Sequence, residues 1–294
     1  TGETPVANYA LVPGLEESYN DYNDAAIVVF SRIGGEGFDL PRTMTYGGGN
    51  YHNVWDTSQV VPGARKGDDH YLQLDKNESD LLKYVGDNFN KVIVLLNTGS
   101  QIETGFLDDV NHYAYHENIK ACLWIGYTGS TGTRALAKIL KGEINPSGRT
   151  VDTWARDFKA DPVWKNFGNN LMQYGNRYTD NNTNYVEYRE GIYIGYRYWE
   201  TRGFDEGFDE AYTSGSEHTL AQQTSTTEWN SWYNAHVVRP FGFGLSYTTF
   251  DQKIINQNPA AGATLTANDT ISITVRVTNT GAVAGKEVVQ LYYT

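Results

Sequence analysis

Apolar positions in the first half of the chain gather into short unbroken runs separated by polar stretches. Ala25-Ala26-Ile27-Val28-Val29-Phe30 is the first run, Val92-Ile93-Val94-Leu95-Leu96 the second and Ala121-Cys122-Leu123-Trp124-Ile125 the third. Runs of this length and continuity fit strands buried in a parallel sheet, expected over 25–32, 91–96 and 120–126. Between them the apolar spacing becomes helical. Leu81, Leu82, Val85 and Phe89 fall on one face, which predicts a helix over 78–89 with Asn77 or Ser79 as its cap. A helical segment is expected over 104–117. Another is expected over 131–141, where Leu136, Ile139 and Leu140 are periodic and Gly142 suits the C-cap. Strands alternating with helices imply a mostly parallel sheet covered on both faces.

The alternation stops at Asn145-Pro146-Ser147-Gly148, a strong turn sequence. Residues 155–240 are rich in Asn, Tyr, Gly and Thr, and irregular chain is expected there, with short strands near 191–196. Beyond Phe250 the period becomes two. Ile271, Ile273, Val275 and Val277 face one way and Ser272, Thr274 and Arg276 the other. A turn at Thr278-Asn279-Thr280-Gly281 leads to a further expected strand at Val288–Tyr293. This is the chemistry of half-buried antiparallel strands, as in a β-sandwich. The stretch is too short for a full seven-stranded sandwich, so the chain is expected to end within that domain.

Composition narrows the function classes. The 294 residues are enough for one large domain, or for a domain with a smaller companion. The formal net charge of -12 argues against nucleic acid or an anionic membrane surface as a partner, because both need a basic face. No apolar run approaches the roughly 20 residues that cross a bilayer. No secretory signal is visible at Thr1, which leaves a cytoplasmic or a secreted bacterial location open. The single cysteine, Cys122, cannot form an intrachain disulfide, and a thiol in a buried strand is usually inert. His112 and His116 have helical spacing but lack the HExxH pattern, so no metal site is expected. The 22 Tyr, 11 Phe and 7 Trp suit stacking on sugar faces, and they also suit an ordinary extracellular protein.

The chemistry-bearing stretch is Ser31-Arg32-Ile33-Gly34-Gly35-Glu36-Gly37-Phe38-Asp39. It follows the first expected strand, so a carboxylate stands among glycines at the carboxyl end of a parallel strand. Open α/β sheets bind their ligands at those ends.

Five stretches, in order, resemble the C-terminal part of glycoside hydrolase family 3, the β-glucosidases and their relatives. They are 31–40 (SRIGGEGFDL), 97–103 (NTGSQIE), 145–153 (NPSGRTVDT), 188–199 (YREGIYIGYRYW) and 240–250 (PFGFGLSYTTF). The resemblance implies an (α/β)6 sandwich with a mostly parallel sheet over 1–250. Part of an all-β fibronectin type III-like sandwich would follow over 251–294. The usual opening strand and a glycine/serine-rich substrate loop are expected before Thr1. The form NPSGRTVDT is similar to clostridial members, in which this domain precedes a catalytic TIM barrel, so a barrel is expected beyond Thr294.

The resemblance also implies a role for each site residue. Glu36 matches the family's general acid/base, while the nucleophilic aspartate belongs to the barrel. Asp39 is the second carboxylate of the motif, and it equally suits a loop or helix-start cap. Arg32 and Arg42 suit orienting Glu36 or touching a sugar, or else structural ion pairing. Tyr46, Tyr51 and Trp55 follow in a loop that suits stacking on the aglycone, or packing beneath the loop. Glu190 reads as structural. The expected substrate is a β-glucoside or oligosaccharide, with no cofactor, the barrel as intramolecular partner, and homo-oligomer formation left open. Glucosides, xylosides and arabinosides are all substrates within the family. The competing reading is a non-catalytic sugar-binding or structural accessory domain.

Overall fold

In the computed structural model, residues 4–32, 34, 70–165, 190–204 and 226–292 are described. The elements run α1 (Leu15–Ser18), β1 (Ala26–Arg32), α2 (Lys76–Asn88), β2 (Val92–Thr98), β3 (Ile119–Trp124), α3 (Thr133–Leu140), β4 (Trp154–Ala155), α4 (Tyr196–Phe204), α5 (Thr226–His236), β5 (Val237–Arg239), β6 (Phe250–Asn258) and β7 (Ser272–Asn279). Two units emerge: Thr1–Thr128 with Thr153–Arg239, and Gly129–Asp152 with Pro240–Thr294.

The first unit is built on a parallel sheet of order β1-β2-β3. Strand order follows chain order, and α2, in the connection from β1 to β2, packs on one face of the sheet. On that face Val28 and Phe30 of β1 pack with Leu82 and Val85 of α2, with Val92, Val94 and Leu96 of β2, and with Ile102 and Phe106. The central strand β2 is the apolar run that sequence leads one to expect. β1 differs, because its residues alternate: Ile27 and Val29 on the other face are 52% and 53% exposed. A second, two-stranded antiparallel sheet pairs β4 with β5.

Helix α2 begins with a capping box. The Asp75 carboxylate accepts the Glu78 N–H at 2.8 Å, and Glu78 accepts the Asp75 N–H at 2.9 Å. The cap is thus Asp75, not the expected Asn77 or Ser79. The helix expected over 104–117 reduces to one 3-10 turn at Gly105–Leu107. Beyond it, side chains capture the backbone donors. Asp109 takes the Asn111 N–H at 3.0 Å and His112 Nδ1 takes the Ala114 N–H at 3.1 Å. Such local bonds compete with a helical ladder. Residues 191–195 are not strand either; Gly191 and Gly195 have φ of 54° and 57° and form the turn that leads into α4.

In the second unit β6 and β7 form an antiparallel pair, and residues 288–292 add no strand to it. The motif around Asn145 organises this unit. Asn145 accepts the Tyr247 N–H at 2.7 Å and donates to the Ala284 carbonyl at 3.0 Å. Ser147 accepts the Lys286 N–H at 3.1 Å, and Arg149 pairs with Glu287 at 2.6 Å. The Tyr247 hydroxyl donates to the Ile139 carbonyl in the last turn of α3 at 2.9 Å. Gly142, with φ of 75°, closes that helix as the sequence suggests.

Candidate functional site

The carboxyl edge of the parallel sheet is where the sequence motifs converge. β1 ends at Arg32, β2 at Thr98 and β3 at Trp124, and the parallel register puts Arg32 beside Thr98 and Leu96 beside Trp124. The segment 31–34 is therefore flanked by Asn97-Thr98-Gly99 and then by the chain that leaves β3.

Arg32 closes the buried side of this edge. Its side chain is 6% exposed and forms a two-pronged ion pair with Glu78, at 2.6 and 2.7 Å. The remaining N–H groups donate to the carbonyls of Ser31, Tyr71 and Gln73. All five guanidinium donors are then used. Burial disfavours the charge, but the Glu78 carboxylate more than offsets this, and the Arg32 pKa lies above its ordinary value. Here Arg32 is a buried anchor of the β1 terminus and leaves no donor for a sugar. Because Glu78 is also the third residue of α2, one carboxylate ties the helix start to the strand end.

On the exposed side the anchor is Tyr127, which sequence reasoning passed over. Its hydroxyl accepts the Gly34 N–H at 3.2 Å. Its single proton faces two acceptors, the carbonyls of Arg32 at 3.1 Å and of Gly34 at 3.0 Å. The Tyr127 ring lies against Gly99, and a Cβ built on Gly99 would run into it. The glycine of the NTGSQIE stretch thus provides the floor for this ring. Thr98, fully buried, donates its hydroxyl to the Ser100 carbonyl at 2.6 Å and accepts the Trp124 indole N–H through its own carbonyl at 2.7 Å. Asn97 reaches Ser31 Oγ at 3.4 Å. Three strand ends are therefore cross-linked at the point where the chain leaves β1. The signal that could have found Tyr127 is its place in Gly126-Tyr127-Thr128, just past the third apolar run.

Glu36, Asp39, Arg42, Tyr46, Tyr51 and Trp55 lie outside the described residues. Glu190 is buried, 4% exposed. His116 lies in the turn ahead of β3, with its ring against Gly86 of α2, and His112 packs on Tyr113.

Among the described residues, one cluster has the side chains for a metal: His70, Glu103 and Asp157. The chemistry does not fit an ion. His70 is fully buried and its Nδ1 accepts the Leu72 N–H at 3.2 Å, so the proton sits on Nε2, which faces Glu103 at 2.9 Å. Neither ring nitrogen keeps a free lone pair. Glu103 also accepts the Phe158 N–H at 2.9 Å, and Asp157 caps the following 3-10 turn. The cluster joins loops and carries no metal chemistry. No described helix is long and apolar enough to cross a membrane.

Known proteins match this arrangement over most of its length. Beta-glucosidase A of Butyrivibrio fibrisolvens is 31% identical over 281 residues, covering 92% of this chain and 28% of its own length. A beta-glucosidase of Ruminococcus albus is 30% identical over 245 residues, covering 81% and 20%. The crystal structure of a beta-glucosidase from Paenibacillus barengoltzii superimposes with a TM-score of 0.59 at 25% identity, covering 96% of this chain and 22% of that one. The chain spans less than a third of each of these relatives. The fold is that of an α/β domain followed by β-sandwich strands. The model of the glycosyl hydrolase family 3 C-terminal domain matches residues 16–196, and the chain belongs to that family.

Proposed function

We propose that this chain supplies the general acid/base, Glu36, to a retaining β-glycosidase that removes terminal β-D-glucosyl residues. The nucleophilic aspartate would come from a TIM barrel outside the described chain. The observation that carries this reading is the cross-linked carboxyl edge of the sheet, where a Gly-Gly-Glu-Gly sequence begins at the clamped Gly34 and has Glu36 two residues further along the chain. A fixed strand end is what a carboxyl group needs if it must reach a bond held by another domain. Relatives that bear the name beta-glucosidase point to the substrate class.

The chemistry needs two carboxyl groups about 5–5.5 Å apart. The aspartate attacks the anomeric carbon while the protonated Glu36 gives its proton to the departing glycosidic oxygen. A covalent glycosyl-aspartate results. Glu36, now ionised, takes a proton from water as that water attacks the anomeric carbon and releases the aspartate. The proton is returned to Glu36 and the cycle closes.

The test is Glu36→Ala in a protein that carries both this chain and its barrel. Activated aryl glucosides, whose leaving groups need little protonation, should still form the glycosyl-enzyme, which then accumulates for want of a base. Cellobiose should lose roughly 10²–10⁴-fold in kcat/KM. Azide, which attacks without a base, should restore turnover and yield glucosyl azide. If Asp39→Ala or Glu190→Ala gives this pattern while Glu36→Ala behaves as wild type, the assignment is wrong. If no variant gives it, the accessory-domain reading takes its place.

A further inference from the structure

We infer that the Tyr127 hydroxyl is a positioning group for the acid/base, acting from just beyond β3 across the sheet edge on the backbone that leads to Glu36. The inference rests on the role proposed for Glu36. Three observations support it. The hydroxyl meets both the N–H and the carbonyl of Gly34, and also the carbonyl of Arg32, so it grips the backbone on both sides of Ile33. Its ring is seated on Gly99, a position that no larger residue could fill without displacing the ring. Tyr127 is also 57% exposed, so its contacts do not arise from core packing.

Tyr127 gives its hydroxyl to the backbone that leads directly into the Gly-Gly-Glu-Gly sequence. Proton transfer needs the acid within hydrogen-bond reach of the leaving oxygen. A bond that fixes the backbone at Arg32 and Gly34 therefore fixes the point from which the chain runs on to Glu36, and raises the share of molecules in which Glu36 can act. Tyr127 touches no reacting atom in this scheme.

The test is Tyr127→Phe, which keeps the ring on Gly99 and removes only the hydroxyl. It is made in the protein that carries the barrel and measured beside Glu36→Ala. For alkyl glucosides and cellobiose, kcat/KM should fall roughly 10–100-fold, the cost of misplacing a catalytic group by about an ångström. Activated aryl glucosides should lose much less, so a plot of kcat/KM against leaving-group pKa steepens. Hydrogen exchange of the Gly34 amide should speed up in the same variant. Gly99→Ala should reproduce both effects, since it pushes the ring off its seat.

A uniform loss across leaving groups would reduce Tyr127 to a structural residue and overturn the inference. Unchanged exchange at Gly34 would also overturn it. If Glu36→Ala shows the leaving-group dependence and Tyr127→Phe does not, the positioning role fails alone and the reading of Glu36 stands. If Glu36→Ala shows none, both fall together.

Discussion

At the scale of single residues, the sheet edge shows how one motif can divide its labour. Arg32 and Glu36 stand four residues apart in the same stretch, and the resemblance leaves Arg32 either a sugar contact or a structural ion pair. It is the ion pair that forms: Arg32 is inside, with every donor engaged, and removing its side chain would strand the Glu78 carboxylate in a buried site, a loss of about 3–5 kcal/mol for pairs of this kind. Cys122 on β3 illustrates the opposite case, a residue whose chemistry is suppressed. Desolvation pushes its thiol from 9.0 up to about 12, with Arg239 opposing this weakly. The pKa is raised by folding, so the associated stability is complete below about pH 9 and is lost as pH climbs toward 12. The stability advantage of wild type over Cys122→Ala, from urea midpoints, should therefore be constant through neutral pH and shrink above pH 9. A gap that stays constant across that alkaline range would show that the thiol is not desolvated as described. Native protein should also react slowly with thiol reagents until it is unfolded.

At the scale of elements, helix α2 is pressed close to the turn before β3. Gly86 is buried there, and the His116 imidazole fills the space where a Cβ would be. His116 is held in turn, with Nδ1 accepting the Asn118 N–H at 3.1 Å, while the Asn118 amide donates to the Gly86 carbonyl at 3.0 Å. Gly86→Ala sets two effects against each other. Helix propensity favours alanine by about 0.5–1 kcal/mol, whereas forcing a methyl into filled space costs about 1–3 kcal/mol. The second should win, and thermal or denaturant unfolding should show Gly86→Ala less stable than wild type; a more stable variant would mean that His116 moves freely. This packing also marks what a sequence can reveal. β2 and α2 were legible because their apolar periods are long and clean, and the three strand ends followed from the same runs. The helix over 104–117 was not, because Asp109 and His112 bind nearby backbone donors and the apolar pattern carries no sign of that competition. Tyr127 stands at a legible place, just past the third apolar run, but its bond to another strand's backbone depends on tertiary proximity across 93 residues, which that place alone does not encode.

At the scale of the molecule, neither unit is a continuous piece of chain. The sequence suggests a division near residue 250, yet 129–152 has its partners in 240–294. A chain cut after residue 250 would deprive Asn145 of the Ala284 carbonyl and Arg149 of Glu287. In that shortened chain, limited proteolysis should cleave within 129–152 early, while β1, α2 and β2 stay protected. Equal protection of 129–152 in both chains would place that segment with the parallel sheet instead. The interleaving matters as well for a polypeptide that is born one residue at a time. Asn145 leaves the ribosome 139 residues ahead of the carbonyl it must bind. At synthesis rates of about 5–20 residues per second, that is a wait on the order of ten seconds. Through that interval α3 and the Asn145 turn are exposed as nascent chain, open to chaperones and proteases, even though they are encoded in the middle of the message.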